Sequence, residues 1–319
     1  VSTKAELVGA LRCFADSTDS AAALPADHDA RTWLAGEAIN WSRHRAPGPH
    51  RRLSLPGTSF EHSRFWAEDG VGMAEPKSRP VADYYDSLAD SVAGLAEPDD
   101  PRAGLNLLFA PLPRRLPGFS WIKAFFGAEE NPDHLAMLRD GQTAMKARLF
   151  DRVDLSRVSR AMDFGCGFAT DLIDLAQRNP GLVGRGFTIA PAQAAVAAER
   201  VAAAGLDGRV EILPRDSARD DMGGPYDLML GFEVSFHVAD KQGLFANIAR
   251  NLAPNGDLLL IDCIAETAAE IAVPEIGQYT PTATQFAEIL ATHGLAVVAA
   301  EDASGGIANF LHDPDFERH

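Results

Sequence analysis

From Arg160 onward, short apolar runs alternate with amphipathic stretches, and that alternation predicts a parallel sheet joined by crossover helices. Strands are predicted at about Arg160 to Phe164, Leu182 to Ile189, Val210 to Leu213, Tyr226 to Phe232 and Asp257 to Ile264. In the helix after the fourth strand, Leu244, Ile248 and Leu252 recur at four-residue spacing, which puts them on one face against the sheet. Pro254-Asn255-Gly256 predicts where that helix stops, because Pro cannot continue it and Gly permits the turn. A last helix is predicted from Thr282 to His293. Two apolar runs, Leu295 to Ala300 and Ile307 to Leu311, then predict a closing antiparallel hairpin.

The chain before Arg160 reads differently. From Pro80 to Leu149 the pattern is helical in blocks: Tyr84, Tyr85 and Leu88, then a loop broken by prolines from Pro111 to Pro117, then His134 to Phe150. Loops held by prolines and aromatics often form lids, so this region is predicted to cap a site. The first seventy residues show little periodicity but hold Trp33, Trp41 and Trp66 and the Pro- and Arg-rich stretch Ala46 to Pro56. An irregular, aromatic-anchored linker is expected there. The predicted division is therefore a linker over 1–70, a helical lid over 71–150 and an α/β core over 151–319.

Composition narrows the class. Against 45 Asp+Glu the 319-residue chain sets only 29 Lys+Arg, a net charge of −16, so it has little with which to neutralise phosphates. Neither nucleic acid nor an anionic membrane surface is an expected partner. No apolar run approaches the roughly 18 residues that a spanning helix needs. Three scattered cysteines, Cys13, Cys166 and Cys263, carry no metal-binding or disulfide spacing, and a reducing cytoplasm is expected. The chain opens on Val1 and ends on a charged stretch, which suggests a piece of something longer.

The strongest local signal is Asp163-Phe-Gly165-Cys-Gly167, at the end of the first predicted strand and the start of a helix. Glycines there let the backbone approach a ligand, and the free N–H groups of a helix start favour an anion. A dinucleotide site is disfavoured: Thr170 stands where the third glycine of that fingerprint belongs, and the second strand ends in Phe187-Thr-Ile-Ala190 without a carboxylate.

These residues resemble the first motif of class I S-adenosylmethionine-dependent methyltransferases, and the resemblance runs from Arg160 to about Leu311. It implies a Rossmann-like, doubly wound and mostly parallel sheet. Gly186-Phe-Thr188-Ile-Ala-Pro-Ala-Gln193 is similar to a stretch found in the subgroup that includes cyclopropane fatty-acid synthases, where the Thr and Gln contact the cofactor. Asp216 and Ser217 match the position whose Asp usually bonds the adenine amino group. By the same resemblance Asp163, Gly165, Gly167 and Gly231 line the cofactor site, and Tyr85 reaches the cofactor carboxylate. No metal is required.

Methyl transfer to an alcohol needs a base for the acceptor's proton, and His is the side chain best matched to that task near neutral pH. The fourth strand supplies Glu233 and, just beyond, His237. Ligands sit at the carboxyl ends of the strands in open α/β sheets, and the resemblance implies that His237 is the base, because small-molecule methyltransferases of this type frequently place theirs here. Glu233 or Asp262 is expected to orient its imidazole.

A second resemblance concerns the first seventy residues. Trp33 to Trp41, followed by Arg51-Arg-Leu-Ser-Leu-Pro-Gly-Thr-Ser-Phe-Glu-His-Ser-Arg-Phe-Trp66, is similar to the linker after the acyltransferase domain of modular polyketide synthases. Phe109 to Trp121 and Ile307 to Phe316 resemble methyltransferase domains embedded in such synthases. The implied activity is O-methylation of a β-hydroxyl on a polyketide carried by acyl carrier protein, with neighbouring synthase domains as further partners. The alternatives are C-methylation of a β-ketoacyl chain, a catalytically silent scaffold domain and a free-standing small-molecule methyltransferase.

Overall fold

Five parallel strands form the centre, in the order β3-β2-β1-β4-β5: β1 Arg160–Asp163, β2 Val183–Thr188, β3 Val210–Pro214, β4 Tyr226–Phe232 and β5 Leu252–Ile261. The computed structural model describes residues 80–91, 104, 106–126 and 130–313, which all belong to one unit spanning Gly70–His319. The linker expected over 1–70 and the end of the chain, 314–319, lie outside the described residues.

Period-two alternation sends neighbouring strand residues to opposite faces. Ala161, Leu228 and Leu230 join one core with Leu172, Leu175 and Ala176 of α4 (Thr170–Arg178) and Ala197 and Val201 of α5 (Pro191–Ala203). Met162, Phe164 and Met229 join the other with Leu244, Phe245 and Ile248 of α6 (Lys241–Asn251) and Leu290 of α7 (Ala283–Thr292). Both faces of the sheet are thus covered, as a parallel sheet requires. The expected doubly wound fold is what forms.

A third core lies over the loop after β1. It gathers Leu112, Phe119, Phe125 of α2 (Trp121–Phe126), Leu135 and Leu138 of α3 (Pro132–Phe150), Phe310 of α8 (Ser304–Leu311) and Phe168 of the loop itself. The remaining described helix, α1, is Pro80–Ser91.

Two local expectations fail. Helix α6 ends at Asn251, and Leu252 opens β5 instead of closing the helix. Pairing with β4 runs Tyr226↔Leu252 and then jumps to Leu228↔Asp257, so Pro254-Asn255-Gly256 turns inside the strand as a bulge, with Asn255 at φ 62°. The closing hairpin is also placed elsewhere. Residues 295–303 take no regular strand, and Ile307 to Leu311 are helical in α8, because Phe310 docks on Phe109, Phe119 and Trp121. The antiparallel pair comes instead from β6 Ile271–Val273 and β7 Gln278–Thr280.

Candidate active site

The carboxyl ends of β1, β2, β4 and β5 meet at the point where the strand order reverses, between β1 and β4. Such crevices are where open α/β sheets bind ligands. Asp163, the last residue of β1, is buried, and its Oδ1 accepts from the Gly165 N–H at 3.1 Å. Burial, helped by the nearby Asp171 charge, pushes its carboxyl up to about 8. Gly167 takes φ 50°, and a side chain there would meet open space. The loop therefore offers backbone and room ahead of α4. Gly165 packs against Val234 at the exit of β4.

On the β2 side, the Thr188 hydroxyl donates to Gln193 Oε1 at 2.6 Å, both residues being buried. Asp216 folds its own turn by accepting from the Ala218 N–H, and the Ser217 hydroxyl donates to the Phe164 carbonyl. Gly231 does not open onto this space. A Cβ there would lie 1.9 Å from Phe164 Cζ, so the ring of Phe164 fills the position and Gly231 serves packing.

His237 closes a 3₁₀ turn, Ser235–His237, beyond β4. Its Nδ1 lies 2.9 Å from the carbonyl of Gly277, which can only accept, so Nδ1 carries the proton. Burial holds the imidazole below its ordinary value of 6.5, so the ring is neutral and Nε2 presents a lone pair. The Tyr85 hydroxyl of α1 donates to that nitrogen at 3.2 Å. Burial raises the Tyr85 phenol far above its ordinary range, which keeps it a donor.

One expectation is corrected here. Neither Glu233 nor Asp262 holds the imidazole, because a main-chain carbonyl from the turn between β6 and β7 takes the Nδ1 proton. Asp262 acts on the turn's backbone, accepting from the N–H groups of Ser235 at 2.9 Å and Phe236 at 3.2 Å. Tyr85, for which the resemblance implied a contact with the cofactor carboxylate, places its hydroxyl on His237. Glu233, in the left-handed region at φ 55°, reaches across to accept from the Phe109 N–H at 3.0 Å. Its burial, with the Asp262 charge, pushes the carboxyl up to about 8.

The site also uses residues that no motif marked. Asn106, Lys146 of α3 and Asp171 of α4 form a closed ring of bonds: Asn106 Nδ2 to Asp171 at 2.6 Å, Lys146 Nζ to Asn106 at 2.7 Å and to Asp171 at 2.8 Å. Gln142 adds bonds to the carbonyls of Asn106 and Leu108. Together they hold the 106–110 segment over the glycine loop. Asp86 of α1 caps α5 by accepting from the Ala192 N–H at 2.8 Å. No spacing in the sequence could have marked them, because their partners lie 25 to 106 positions away along the chain.

With this geometry in hand, known proteins agree on one family. A methyltransferase-domain profile matches residues 162–258. The O-methyltransferase from a trans-AT PKS multienzyme of Brevibacillus brevis, solved with S-adenosyl-L-homocysteine, superposes with a TM-score of 0.65 at 40% identity. The match covers 67% of this chain and 72% of that one. The chain belongs to the S-adenosylmethionine-dependent methyltransferase domains of polyketide synthases.

Another such domain, StiE O-MT, superposes with a TM-score of 0.60 at 39% identity, over 66% of this chain and 73% of that one. Polyketide synthase ThaQ of Burkholderia thailandensis is 44% identical over 213 residues, 67% of this chain. The chain spans 10% of ThaQ. The glycine loop after β1 and the histidine turn after β4 thus stand on either side of one strand-order reversal. Among the described residues, no helix is long and apolar enough to cross a membrane.

Proposed function

We propose that this domain methylates the β-hydroxyl oxygen of a polyketide intermediate held as a thioester on acyl carrier protein, with His237 as general base. One observation carries the reading: Nδ1–H is fixed on Gly277, and Nε2 already accepts a hydrogen bond from a hydroxyl, that of Tyr85. An acceptor alcohol entering the cleft takes the place of that hydroxyl on Nε2. As its oxygen forms the bond to the methyl carbon, its proton passes to Nε2 and the imidazole becomes a cation. The Gly277 carbonyl stabilises that cation through Nδ1–H.

When bound, S-adenosylmethionine would supply the electrophilic methyl group, whose carbon–sulfur bond would break as the carbon–oxygen bond forms, leaving the electron pair on the sulfur of S-adenosylhomocysteine. The residues proposed to hold it are Asp163, Gly165 and Gly167, with Thr188, Gln193, Asp216 and Ser217 around its nucleoside end. The open space at Gly167, next to a buried carboxyl and the start of α4, fits such a group. The 106–126 segment and α1 act as the lid that keeps the cleft dry, which concentrates the work on alignment. Acyl carrier protein and adjoining synthase domains are the proposed partners, and the cytoplasm the proposed compartment.

Intact mass spectrometry of carrier protein loaded with matched β-hydroxyacyl and β-ketoacyl chains tests the proposal. A one-methyl gain on the hydroxyacyl form is expected. A gain confined to the ketoacyl form, located by fragmentation on carbon, would replace this reading with C-methylation.

A further inference from the structure

Lys241 is a cation in a place that elementary electrostatics disfavours twice. It is the first residue of α6, at the positive end of the helix dipole, and it is buried, with 8% of its surface exposed. What it gains there is two carbonyls: Nζ donates to Ser235 at 2.8 Å and to Val238 at 2.9 Å. Those carbonyls belong to the turn that presents His237, and the N–H groups of Ser235 and Phe236 in the same turn are held by Asp262. The turn is thus gripped along both polar edges, its carbonyls by an ammonium from α6 and its amides by a carboxylate from the end of β5. Local departures from the rules of helix design tend to fall where function requires them.

We propose that Lys241 and Asp262 form a brace that fixes the position of His237 during proton transfer, Lys241 acting as a positioning residue that does not touch the substrate. The proposal rests on the reading of His237 as base. The charge of Lys241 also opposes protonation of the imidazole, adding to the effect of burial. The ring itself meets Tyr85 from α1, the Gly277 carbonyl and the Phe236 ring, while Glu233 acts on Tyr85, and Asp262 and Glu270 act on Lys241.

The test is the single-turnover rate on β-hydroxyacyl carrier protein, measured against pH for the whole chain, together with cofactor affinity. Lys241→Met is expected to slow the rate at least tenfold with cofactor affinity kept within twofold. Its ascending pH limb is expected to move to higher pH, because an opposing charge has gone. Lys241→Arg, which restores charge and donors, is expected to recover most of the rate. Lys241→Gln, which keeps N–H donors but no charge, reads the same limb if the Met variant does not fold. An unmoved limb, a rate within twofold of the parent, or a parallel loss of cofactor affinity would overturn the brace. His237→Ala, assayed alongside, separates the two ideas: a parental rate in that variant defeats the base assignment itself.

Discussion

At the ends of β1 and β2 the chain leaves room: a loop with Gly167 at φ 50°, space where its side chain would be, and polar groups that bond mainly to backbone or to each other. At the ends of β4 and β5 it crowds instead. Glu233 sits in a left-handed conformation, Asp262 and Lys241 grip one turn, and both nitrogens of His237 are engaged. The first arrangement suits binding, where backbone shape decides the fit. The second suits proton transfer, where one nitrogen must be aimed and kept neutral. Changes to the histidine turn should therefore cost rate, and changes to packing or to buried charge should act on stability, with little exchange between them.

The largest separation is expected from His237→Ala. Single-turnover transfer should fall about 10²–10⁴-fold, the usual worth of a positioned base, while calorimetry shows unchanged cofactor affinity. A parallel loss of both would erase the contrast. Next comes Gly231→Ala, whose Cβ would overlap Phe164 Cζ at 1.9 Å. Overpacking of this kind costs about 1–3 kcal/mol, so the melting temperature should drop clearly; an unchanged value would return Gly231 to the cofactor wall.

Glu233→Gln sharpens the picture through pH. The carboxyl's pKa is raised from 4.5 to about 8 on folding, so its contribution is fully present below 4.5 and is lost as pH rises through 8. Relative to the parent, the Gln variant should become more stable between those limits, by no more than about 1.4 kcal/mol per pH unit. Melting curves at pH 5 and 8 that differ by a constant amount would show that Glu233 titrates normally. The smallest effect belongs to Tyr85→Phe. It keeps the ring edge against His237, at 5.8 Å between centroids, and loses one hydrogen bond that an acceptor alcohol would replace. Its rate should change less than about tenfold, since a neutral hydrogen bond is worth about 1 kcal/mol.

The glycine-loop side was legible because its message is local. Asp163 to Gly167 follows a strand and opens a helix, and the strand positions were correct to within a residue or two for β1 to β4. The histidine side was legible only as a residue type at a strand end. Its partners come from far along the chain: Gly277 is 40 residues from His237 and Tyr85 is 152 away, and a main-chain carbonyl leaves no trace in side-chain chemistry. Where local signals failed, pairing decided. Pro254-Asn255-Gly256 does turn, but β4 recruits the residues on either side of it. Ile307 to Leu311 is too short an apolar run to tell strand from helix, and contact with the aromatic cluster resolved it as helix.

The most direct test of the central claim is the pH dependence of single-turnover methyl transfer to β-hydroxyacyl carrier protein by the parent chain. Two buried groups at this end of the sheet offer themselves as base, and burial drives them in opposite directions: His237 below 6.5, Glu233 up to about 8. Proton transfer to His237 Nε2 predicts a rate that rises with one deprotonation and levels off with a midpoint below pH 6.5. A rate still climbing to a midpoint near pH 8 would assign the proton to Glu233 and contradict the account.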